Sequence, residues 1–480
     1  MTEEPLWSID AMAAAMRAER AGELPSGIKG ISIDTRTMSP GEAFFALQGD
    51  SRDGHEFVAQ ALSSGCGCAV VAADKRGHFP REAPLLVVAD VLEGLRDLAR
   101  AARARTPAKV VGVTGSVGKT GSKEALRLTL SKSGETHASV ASYNNHWGVP
   151  LSLARCPASA RYAVLELGMN HAGEIAPLTR LVRPHVAIIT TVEPVHLEYL
   201  GSIEAIADAK AEIFEGLEAG GAAVINRDNA QFERLLASAR RAGVRQVVSF
   251  GEHADADARL VTSVLQSDCS SVRARILGSD ITYKVGAPGK HQVMNSLAVL
   301  AAVALLGADL ALAALALAEL RPPSGRGLRL DLTVPGGTAL LIDESYNANP
   351  ASMRAALAVL GQIELGPRGR RIAVLGDMLE LGARGAELHR ELAQSVTANN
   401  VDLVFCCGPL MRALWDALPA NRRGAHAETS AVLESEVLAA VQAGDAIVVK
   451  GSLGSRMAPI VKSLQRHYQH DSRSTAPAQG

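Results

Sequence analysis

A glycine-rich stretch that follows a run of apolar residues limits the folds open to this chain. Residues 110–113 are apolar enough for a buried strand, residues 114–118 read as a turn, and Lys119 and Thr120 begin a predicted helix. Glycines let backbone N–H groups approach phosphate oxygens, and a helix N-terminus favours an anion. In such a loop Lys119 would contact the β- and γ-phosphates, and Thr120 would bind Mg²⁺. The stretch predicts a nucleoside triphosphate site in an α/β fold.

The spacing of this loop departs from the general phosphate-binding pattern. G-x-x-x-x-G-K-[ST] requires glycine at position 113, which is Val113 here, whereas Gly112 lies one residue earlier. The match is to the narrower form T-G-x-x-G-K-T. The alternative, a chance glycine-rich turn, is disfavoured because strand, turn and Lys-Thr follow in the required order.

Composition limits the size of the protein and its classes of partner. A chain of 480 residues predicts about three domains of roughly 150 residues each. Lys and Arg number 49 against 50 Asp and Glu, and aromatic residues make up 4%, which argues against a nucleic-acid partner. The six cysteines lack the spacing of a zinc site and the density of a disulfide scaffold, so reduced thiols are expected.

One segment resembles a membrane span. Residues 296–320 are rich in Ala and Leu, but Gly307 and Asp309 interrupt the run and Glu319 lies near its end. Two buried helices are therefore the preferred interpretation over a span. The acidic start of the chain is not followed by an apolar core, so no signal peptide is expected.

Strand-like and helical patterns alternate along most of the chain and predict an α/β fold of three domains. The predicted domains are residues 1–108, 109–320 and 321–480, with a disordered tail from about residue 469. The central one would have a mostly parallel sheet with helices on both faces and an antiparallel addition over residues 258–285. Residues 339–343, 371–375, 403–406 and 446–449 would be strands of a third, Rossmann-like domain. Polar motifs follow several predicted strands, where open α/β sheets bind ligands.

Two side chains in the central region are candidates for binding a metal ion. Glu166 follows the predicted strand 162–165 and is placed to complete Mg²⁺ coordination below the phosphate loop, the alternative being a surface acid. His196 follows a second predicted strand, 186–192, and taken alone a single histidine is more often structural.

Lys210 falls on the apolar face of a helix predicted over residues 202–217, with Ser202 as its N-cap. It stands four residues after Ile206 and three before Ile213. Burial favours the neutral amine, and a neutral amine can take up CO₂ as a carbamate that offers oxygen ligands to a metal. A lysine that extends to solvent and a buried ion pair are the open alternatives.

Further motifs offer polar side chains near predicted strand and helix ends. His291 and Asn295 are four residues apart, so on a helix they would share one face and could contact a nucleotide. Arg326 lies in a glycine-flanked loop suited to a phosphate contact. For both motifs an ordinary helix start or a solvated loop is the alternative. The loop from Asp343 to Pro350 carries six hydrogen-bonding side chains in seven residues, which packing does not explain.

The ordered set of motifs resembles the Mur ligases. The motifs are T-G-S-V-G-K-T, N-N-H-W-G-V-P, E-L-G-M-N-H-A-G-E-I, H-L-E with A-K-A-E-I-F downstream, G-K-H, G-R-G, D-E-S-Y-N-A-N-P, L-G-D-M-L-E-L-G and K-G-S. They extend from about residue 30 to 460. The D-E-S-Y-N-A-N-P and L-G-D-M-L-E-L-G stretches are similar to those of members that join D-alanyl-D-alanine to UDP-N-acetylmuramoyl-tripeptide.

The resemblance implies a cytoplasmic, monomeric ligase of peptidoglycan synthesis that uses ATP and two Mg²⁺ ions. Its N-terminal domain would bind the UDP-sugar, the central one ATP, and the C-terminal one would close over the nucleotide. The ATP-binding positions would be Gly115, Ser116, Val117, Gly118, Lys119, Thr120, His291, Asn295, Arg326 and Asp343. The substrate-binding positions would be Thr35, Arg36, Asn144, Asn145, Tyr346, Asn347 and Asn349. Thr120 and Glu166 would hold one ion, His196 and carbamoylated Lys210 the second, and Lys119, His196 and Lys210 would form the catalytic set.

Two positions depart from the family pattern, and two other interpretations stay open. Gln292 stands where the family usually has Asn, and Glu344 where it usually has Asp. A related ligase, such as another Mur type or folylpolyglutamate synthase, would share the ATP and metal residues, but the loop from Asp343 argues against it. A nucleotide-dependent switch would not need the metal-binding set. Whether the tripeptide ends in diaminopimelate or lysine is open.

Overall fold

The structure is a computed structural model that describes residues 4–49, 52–140 and 142–469. The tail predicted to be disordered beyond residue 469 lies outside the described residues. Three large sheets of five, nine and six strands follow one another along the chain, together with a two-stranded ribbon. The predicted α/β class with several mostly parallel sheets is confirmed.

The first sheet occupies the N-terminal region and has the strand order β2-β7-β6-β5-β4. Strands β4 to β7 are parallel and β2 is antiparallel to β7. The elements are β1 (Trp7–Ser8), α1 (Ile9–Met16), β2 (Glu19–Ala21), β3 (Gly27–Ile28), β4 (Gly30–Ser32), β5 (Glu42–Phe45), α2 (Val58–Ser63), β6 (Cys68–Ala72), β7 (Leu85–Val88) and α3 (Val91–Arg105).

The nine-stranded central sheet runs in the order β16-β15-β14-β13-β12-β11-β8-β10-β9. Its elements are β8 (Lys109–Thr114), α4 (Lys119–Ser131), β9 (Thr136–Ala138), α5 (Gly148–Ala154), β10 (Tyr162–Glu166), α6 (Ile175–Val182), β11 (Val186–Ile189), α7 (Leu197–Leu200), α8 (Ile203–Ala211), β12 (Ala222–Asn226), α9 (Phe232–Arg241), β13 (Gln246–Gly251), β14 (Ala258–Leu265), β15 (Ser270–Ile276), β16 (Ser279–Val285), α10 (Lys290–Leu305) and α11 (Leu310–Ala316).

Both faces of this sheet are buried, as a parallel sheet requires. Val111 and Val113 of β8 belong to one apolar core and Val110 to the core on the opposite face. Strands β15 and β16 add the predicted antiparallel extension. Two helices, α10 and α11, occupy the Ala/Leu-rich segment as predicted. Among the described helices none has both the length and the apolar character needed to cross a membrane.

Two predicted element ends in the central region are wrong. The α-helix predicted over residues 202–217 ends at Ala211 and continues as a 3-10 helix, Glu212–Gly216. Gly216, in this 3-10 helix, packs so closely against α6 that an added Cβ would stand 2.2 Å from the carbonyl oxygen of Thr179. The strand predicted to reach residue 192 ends at Ile189, because Thr190 and Thr191 bond to the phosphate loop instead.

The third sheet has the order β17-β18-β22-β19-β20-β21, parallel except for β17 at its edge. The four predicted strands are present. The elements are β17 (Leu328–Val334), β18 (Gly337–Glu344), α12 (Pro350–Gly361), β19 (Arg371–Gly376), α13 (Gly385–Ala398), β20 (Leu403–Cys407), α14 (Arg412–Ala417), β21 (Arg423–Ala427), α15 (Ser430–Ala440), β22 (Ala446–Lys450) and α16 (Ala458–Gln469).

Candidate active site

A cavity of about 470 Å³ lies where the carboxyl ends of central strands face those of the third sheet. Both regions line it, so it lies between two units of the chain, a common position for ligand sites. The sequence-predicted residues that line it are Ser116, Val117, Gly118, Lys119, Asn144, Glu166, His196, His291, Asn295, Arg326, Tyr346, Asn347 and Asn349. Residues as far apart in the chain as Ser116 and Lys450 meet here, a grouping that local sequence patterns do not show.

The phosphate loop begins at Gly115, where any residue with a side chain would force neighbouring atoms to move. Its φ is 146°, and an added Cβ would lie 1.9 Å from Oγ1 of Thr190. The Thr190 hydroxyl donates to the carbonyl oxygen of Val117 at 2.5 Å. The N–H of Ser116 donates to the Thr191 carbonyl at 2.9 Å. The end of β11 therefore fixes the curvature of the loop.

Lys119 and Thr120 begin α4 directly after the loop. Nζ of Lys119 donates to the carbonyl oxygen of Gly115 at 2.7 Å. Burial lowers the pKa of Lys119, while the Glu166 carboxylate opposes that shift. The Thr120 hydroxyl donates to Oε2 of Glu166 at 2.8 Å, and Nδ2 of Asn144 donates to Oε1 of the same carboxylate at 2.8 Å. A carboxylate, a hydroxyl and an amide therefore meet beside the phosphate loop.

Lys210 lies inside the protein, as its position on the helix predicts. It is 2% exposed, and burial, reinforced by the positive charge of Lys119, lowers the pKa of Lys210 well below its usual range. The alternative that its ammonium extends to solvent is therefore excluded. Lys210 is not among the residues that line the cavity, although it is near enough to Lys119 for that charge to affect its pKa.

His196 enters the cavity wall from the start of α7, in a left-handed backbone conformation with φ of 54°. Its Nδ1 lies 2.5 Å from Oε2 of Glu380, which comes from the loop after β19 in the third sheet. The hydrogen bond to His196 lowers the pKa of Glu380. The histidine that seemed unremarkable as an isolated residue thus has a carboxylate partner from a different sheet.

His291 and Asn295 occupy the first turns of α10 and both line the cavity, as does Gln292 between them. Asn295 lies against the phosphate loop, because a Cβ added to Gly118 would stand 2.8 Å from its Nδ2. Burial lowers the pKa of His291, which favours the neutral ring. Gln292, the departure from the family pattern, retains an amide that can donate and accept hydrogen bonds.

Arg326 crosses from the third region to the central one. Its guanidinium lies 4.3 Å from the centre of the Tyr346 ring, and its Nη2 donates to Oγ of Ser142 at 3.0 Å. The loop that carries it is held by Asp343, whose carboxylate accepts from the N–H of Gly325 at 2.8 Å and from Oγ of Ser345 at 2.6 Å. Asp343 is 4% exposed and does not line the cavity, so it contacts the loop and not the cavity in this structure.

An ion pair joins the ends of β18 and β22, and a helix cap follows in the loop after β18. Nζ of Lys450 lies 3.0 Å from Oε2 of Glu344 and donates to the Asn347 carbonyl at 2.8 Å. Lys450 is 2% exposed. Asn349 caps α12, since its Oδ1 accepts from the N–H of Ser352 at 2.9 Å. Its side chain thus has a structural task although the residue lines the cavity.

Three predicted substrate-binding residues lie outside the cavity. Thr35 and Arg36 follow β4 in the N-terminal region, where Arg36 pairs with Asp34 at 2.6 Å and is 82% exposed. Oδ1 of Asn145 accepts from the N–H of Gly148 at 2.9 Å and so supports the start of α5. The structure does not bring these residues together with the phosphate loop.

Several lining residues were missed by sequence reasoning. Glu193 meets the phosphate loop, since its N–H donates to Oγ of Ser116 at 2.9 Å, and burial raises its pKa. Ser142 accepts a hydrogen bond from Arg326, and Lys450 forms an ion pair with Glu344. The K-G-S and L-G-D-M-L-E-L-G motifs indicate polar loops at strand ends. The residues that their side chains contact lie in distant elements, so the local sequence does not reveal these contacts.

The residues present fit Mg²⁺ bound together with phosphates. Within residues 4–49, 52–140 and 142–469 no group of three or more His, Cys, Asp or Glu side chains forms a metal cage. Mg²⁺ is usually held by one or two carboxylates together with substrate phosphates. Glu166 is fully buried and, among the described residues, no cationic side chain forms an ion pair with it, so it is suited to that arrangement.

Comparison with known proteins agrees with this geometry. Residues 27–105 match the family model "Mur ligase family, catalytic domain", residues 113–303 the "Mur ligase middle domain" and residues 329–453 the "Mur ligase, glutamate ligase domain". Proteins named UDP-N-acetylmuramoyl-tripeptide–D-alanyl-D-alanine ligase are similar. The one from Escherichia coli is 34% identical over 91% of this chain and 94% of its own, and that from Bacillus subtilis is 35% identical over 91% and 93%.

Solved structures extend the likeness to the whole fold. MurF from Acinetobacter baumannii superposes with a TM-score of 0.81 at 30% identity, covering 96% of this chain and 99% of that one. MurF from Thermotoga maritima, solved in complex with ADP, gives 0.74 at 25% identity over 92% and 98%. With these identities over nearly the full length, the chain belongs to the Mur ligase family.

Proposed function

We propose that this chain is an ATP-dependent ligase that joins D-alanyl-D-alanine to UDP-N-acetylmuramoyl-tripeptide in the cytoplasm. The products are the UDP-linked pentapeptide, ADP and phosphate. The observation that carries the proposal is the cavity between two units, which combines a phosphate loop, the Thr120–Glu166 pair and His196. The names of the E. coli and B. subtilis relatives support the choice of substrates.

Three units divide the work in this proposal. Residues 1–108, with Thr35 and Arg36, bind the UDP part of the substrate. Residues 109–320 bind ATP, and residues 321–480 supply Arg326 and the loop after β18. The active species in this proposal is a monomer.

The first step activates the carboxylate that ends the tripeptide. An oxygen of that carboxylate attacks the γ-phosphorus of ATP, the bond to the bridging oxygen breaks, and ADP leaves. Backbone N–H groups of the phosphate loop and the side chains of Lys119 and Arg326 hold the transferring phosphoryl group and offset its charge. Mg²⁺, when bound, adds charge neutralisation at the phosphate oxygens.

Two ion sites are proposed from the side chains beside the phosphates. Thr120 and Glu166 hold one ion. His196 and Lys210 hold the second, with Lys210 as a carbamate: its neutral amine adds to CO₂ and releases a proton. The depressed pKa of the buried Lys210 supports this, because only the unprotonated nitrogen is nucleophilic.

The second step forms the amide. The unprotonated amine of D-alanyl-D-alanine attacks the carbonyl carbon of the acyl phosphate and a tetrahedral oxyanion forms. The attacking nitrogen gives up a proton to solvent, and phosphate leaves with the electrons of the C–O bond. Asn144, Tyr346 and Asn347 line the cavity where the two substrates would meet. Contacts across the cavity, such as that of Arg326 with Ser142, exclude water that would hydrolyse the acyl phosphate.

Phosphate release in the presence of ATP and Mg²⁺ tests the proposal. We expect release only when UDP-tripeptide and D-alanyl-D-alanine are both present, assayed in parallel with tripeptides ending in diaminopimelate and in lysine. Release without the dipeptide would indicate a nucleotide-dependent switch. Release with a single amino acid in place of the dipeptide would indicate another ligase, and either result would overturn the proposal.

A further inference from the structure

Two non-glycine residues with left-handed backbone conformations face each other between the central and third regions. His196 has φ of 54° and Glu380 has φ of 62°. Their side chains meet at 2.5 Å, and the N–H of Glu198 donates to the backbone carbonyl of Glu380 at 3.4 Å. Such a conformation is disfavoured for a non-glycine residue and persists only where its surroundings hold it there. The side-chain contact therefore joins two segments that both have a disfavoured backbone conformation.

The bond between these residues selects one state of the histidine ring. A carboxylate accepts hydrogen bonds, so Nδ1 of His196 is the donor in this contact, and of the two neutral tautomers the contact selects the one in which Nε2 keeps its lone pair. Carboxylates that bond to the second nitrogen of a metal-binding histidine fix its tautomer and orientation. His196 lines the cavity, whereas Glu380 does not.

We propose that Glu380 is a positioning residue, which orients His196 from the C-terminal unit so that the second metal site is complete only when that unit is docked. The inference rests on the proposed function, in which His196 holds the second ion. It assigns to the L-G-D-M-L-E-L-G loop a role in forming that site. It also couples the two events, because docking of the C-terminal unit strengthens binding of the second ion and that ion in turn favours docking.

The first ion site has no such dependence. Thr120 and Asn144 both donate to the Glu166 carboxylate within the central region, each at 2.8 Å. None of these hydrogen bonds involves a residue of the third sheet. The two sites should therefore respond differently to a change at Glu380, and this difference separates positioning from a general loss of stability.

An ordinary surface ion pair does not account for the contact. Exposed ion pairs contribute little to stability, less than two disfavoured backbone conformations cost. Arg384 and Glu387 follow Glu380 closely in the chain, at the start of α13. They form such an exposed pair, with side chains 55% and 57% exposed. Glu387→Gln is therefore the matched control, because it removes one carboxylate of the same unit away from the cavity.

Binding of Mn²⁺ in the presence of adenylyl imidodiphosphate, counted by electron paramagnetic resonance, tests the inference. We expect two ions on the full-length protein and on Glu387→Gln. Glu380→Ala should bind the first ion unchanged and the second about 10–100-fold more weakly. Glu380→Gln should weaken binding of the second ion less than Glu380→Ala does, because the amide oxygen of glutamine still accepts a hydrogen bond from Nδ1 of His196. Unchanged binding of the second ion to Glu380→Ala, or equal weakening of both ions, would overturn the inference.

The tautomer of His196 gives a readout that does not depend on activity. With ¹⁵N-labelled histidine, and with His196→Gln to identify the signal, the Nδ1–H form should dominate in the unmutated protein and lose population in Glu380→Ala. An unchanged tautomer would refute the positioning role. If the unmutated protein binds only one Mn²⁺, the two-ion proposal itself is wrong and the inference falls with it. If it binds two and Glu380→Ala does as well, only the inference fails.

Discussion

The side-chain amide of Asn295 lies so close to Gly118 that a Cβ on this glycine would stand 2.8 Å from Nδ2. The second turn of α10 thus lies against the phosphate loop at its last glycine. Gly118 also has φ of 88°, a conformation that costs other residues about 1–2 kcal/mol. Space and backbone conformation both require glycine here.

Gly118→Ala should weaken binding of an ATP analogue at least about tenfold, which is about 1.4 kcal/mol, as measured by calorimetry. Gly243→Ala is the control, because Gly243 has a similar φ of 81° with nothing within 4 Å of the added Cβ. It should lower the thermal midpoint slightly and leave nucleotide affinity intact. Equal affinities of both variants would show that Asn295 moves aside without consequence.

Arg326→Ala should raise the KM for ATP about tenfold, because a charge-assisted contact to phosphate is lost. The KM of Arg326→Lys should lie between those of the unmutated enzyme and Arg326→Ala. Lysine keeps the positive charge but has neither the planar group that lies over Tyr346 nor the paired donors. Ser142→Ala removes only the hydrogen bond to Nη2 and should change KM little. Unchanged ATP kinetics in Arg326→Ala would remove this residue from the site.

Asp343 should act on ATP through Arg326, since its carboxylate bonds the backbone of Gly325 and does not line the cavity. Asp343→Ala should raise the KM for ATP, and the double variant with Arg326→Ala should be no worse than the more impaired single one. Such non-additivity is expected of residues that act in one chain of contacts. Additive losses would instead indicate that Asp343 contacts the nucleotide directly.

Lys210→Ala should reduce activity about 100-fold or more if the lysine works as a carbamate ligand. Millimolar acetate or formate should restore part of the activity, because a free carboxylate can occupy the space that the carbamate leaves. The same additives should not stimulate the unmutated enzyme. Full activity of Lys210→Ala without additive would contradict the carbamate assignment.

Lys210→Met should raise the thermal midpoint of the ligand-free protein in buffer freed of CO₂, and the gain should grow as pH falls. The pKa of Lys210 is depressed in the folded state, so the unfolded state binds the extra proton below its own pKa of about 10.4. Stability of the unmutated protein therefore falls with falling pH down to the depressed folded pKa, by at most about 1.4 kcal/mol per pH unit. A gap that stays constant between pH 6 and 9 would contradict this.

Local patterns predicted those features that depend on neighbours in the chain. The spacing of Ile206 and Ile213 placed Lys210 inside the protein because a helix brings these positions to one face. The apolar run before Gly115 predicted β8, and the interruption at Gly307 predicted separate helices. Element ends were less predictable: β11 stops at Ile189 because Thr190 bonds the phosphate loop, a partner 73 residues away.

The sequence alone established that a phosphate-binding turn lies between a buried strand and a helix. It also established that a buried lysine follows further along the chain. These outcomes depend on periodicity and on backbone geometry, which a short segment carries within itself. Contacts between segments decided the rest: that Asp343 supports a loop behind the cavity, that Asn349 caps a helix, and that Glu380 meets His196 184 residues away. Such pairings depend on how the sheets pack together, and hydrogen bonds between distant side chains leave no periodic trace in either partner's own segment.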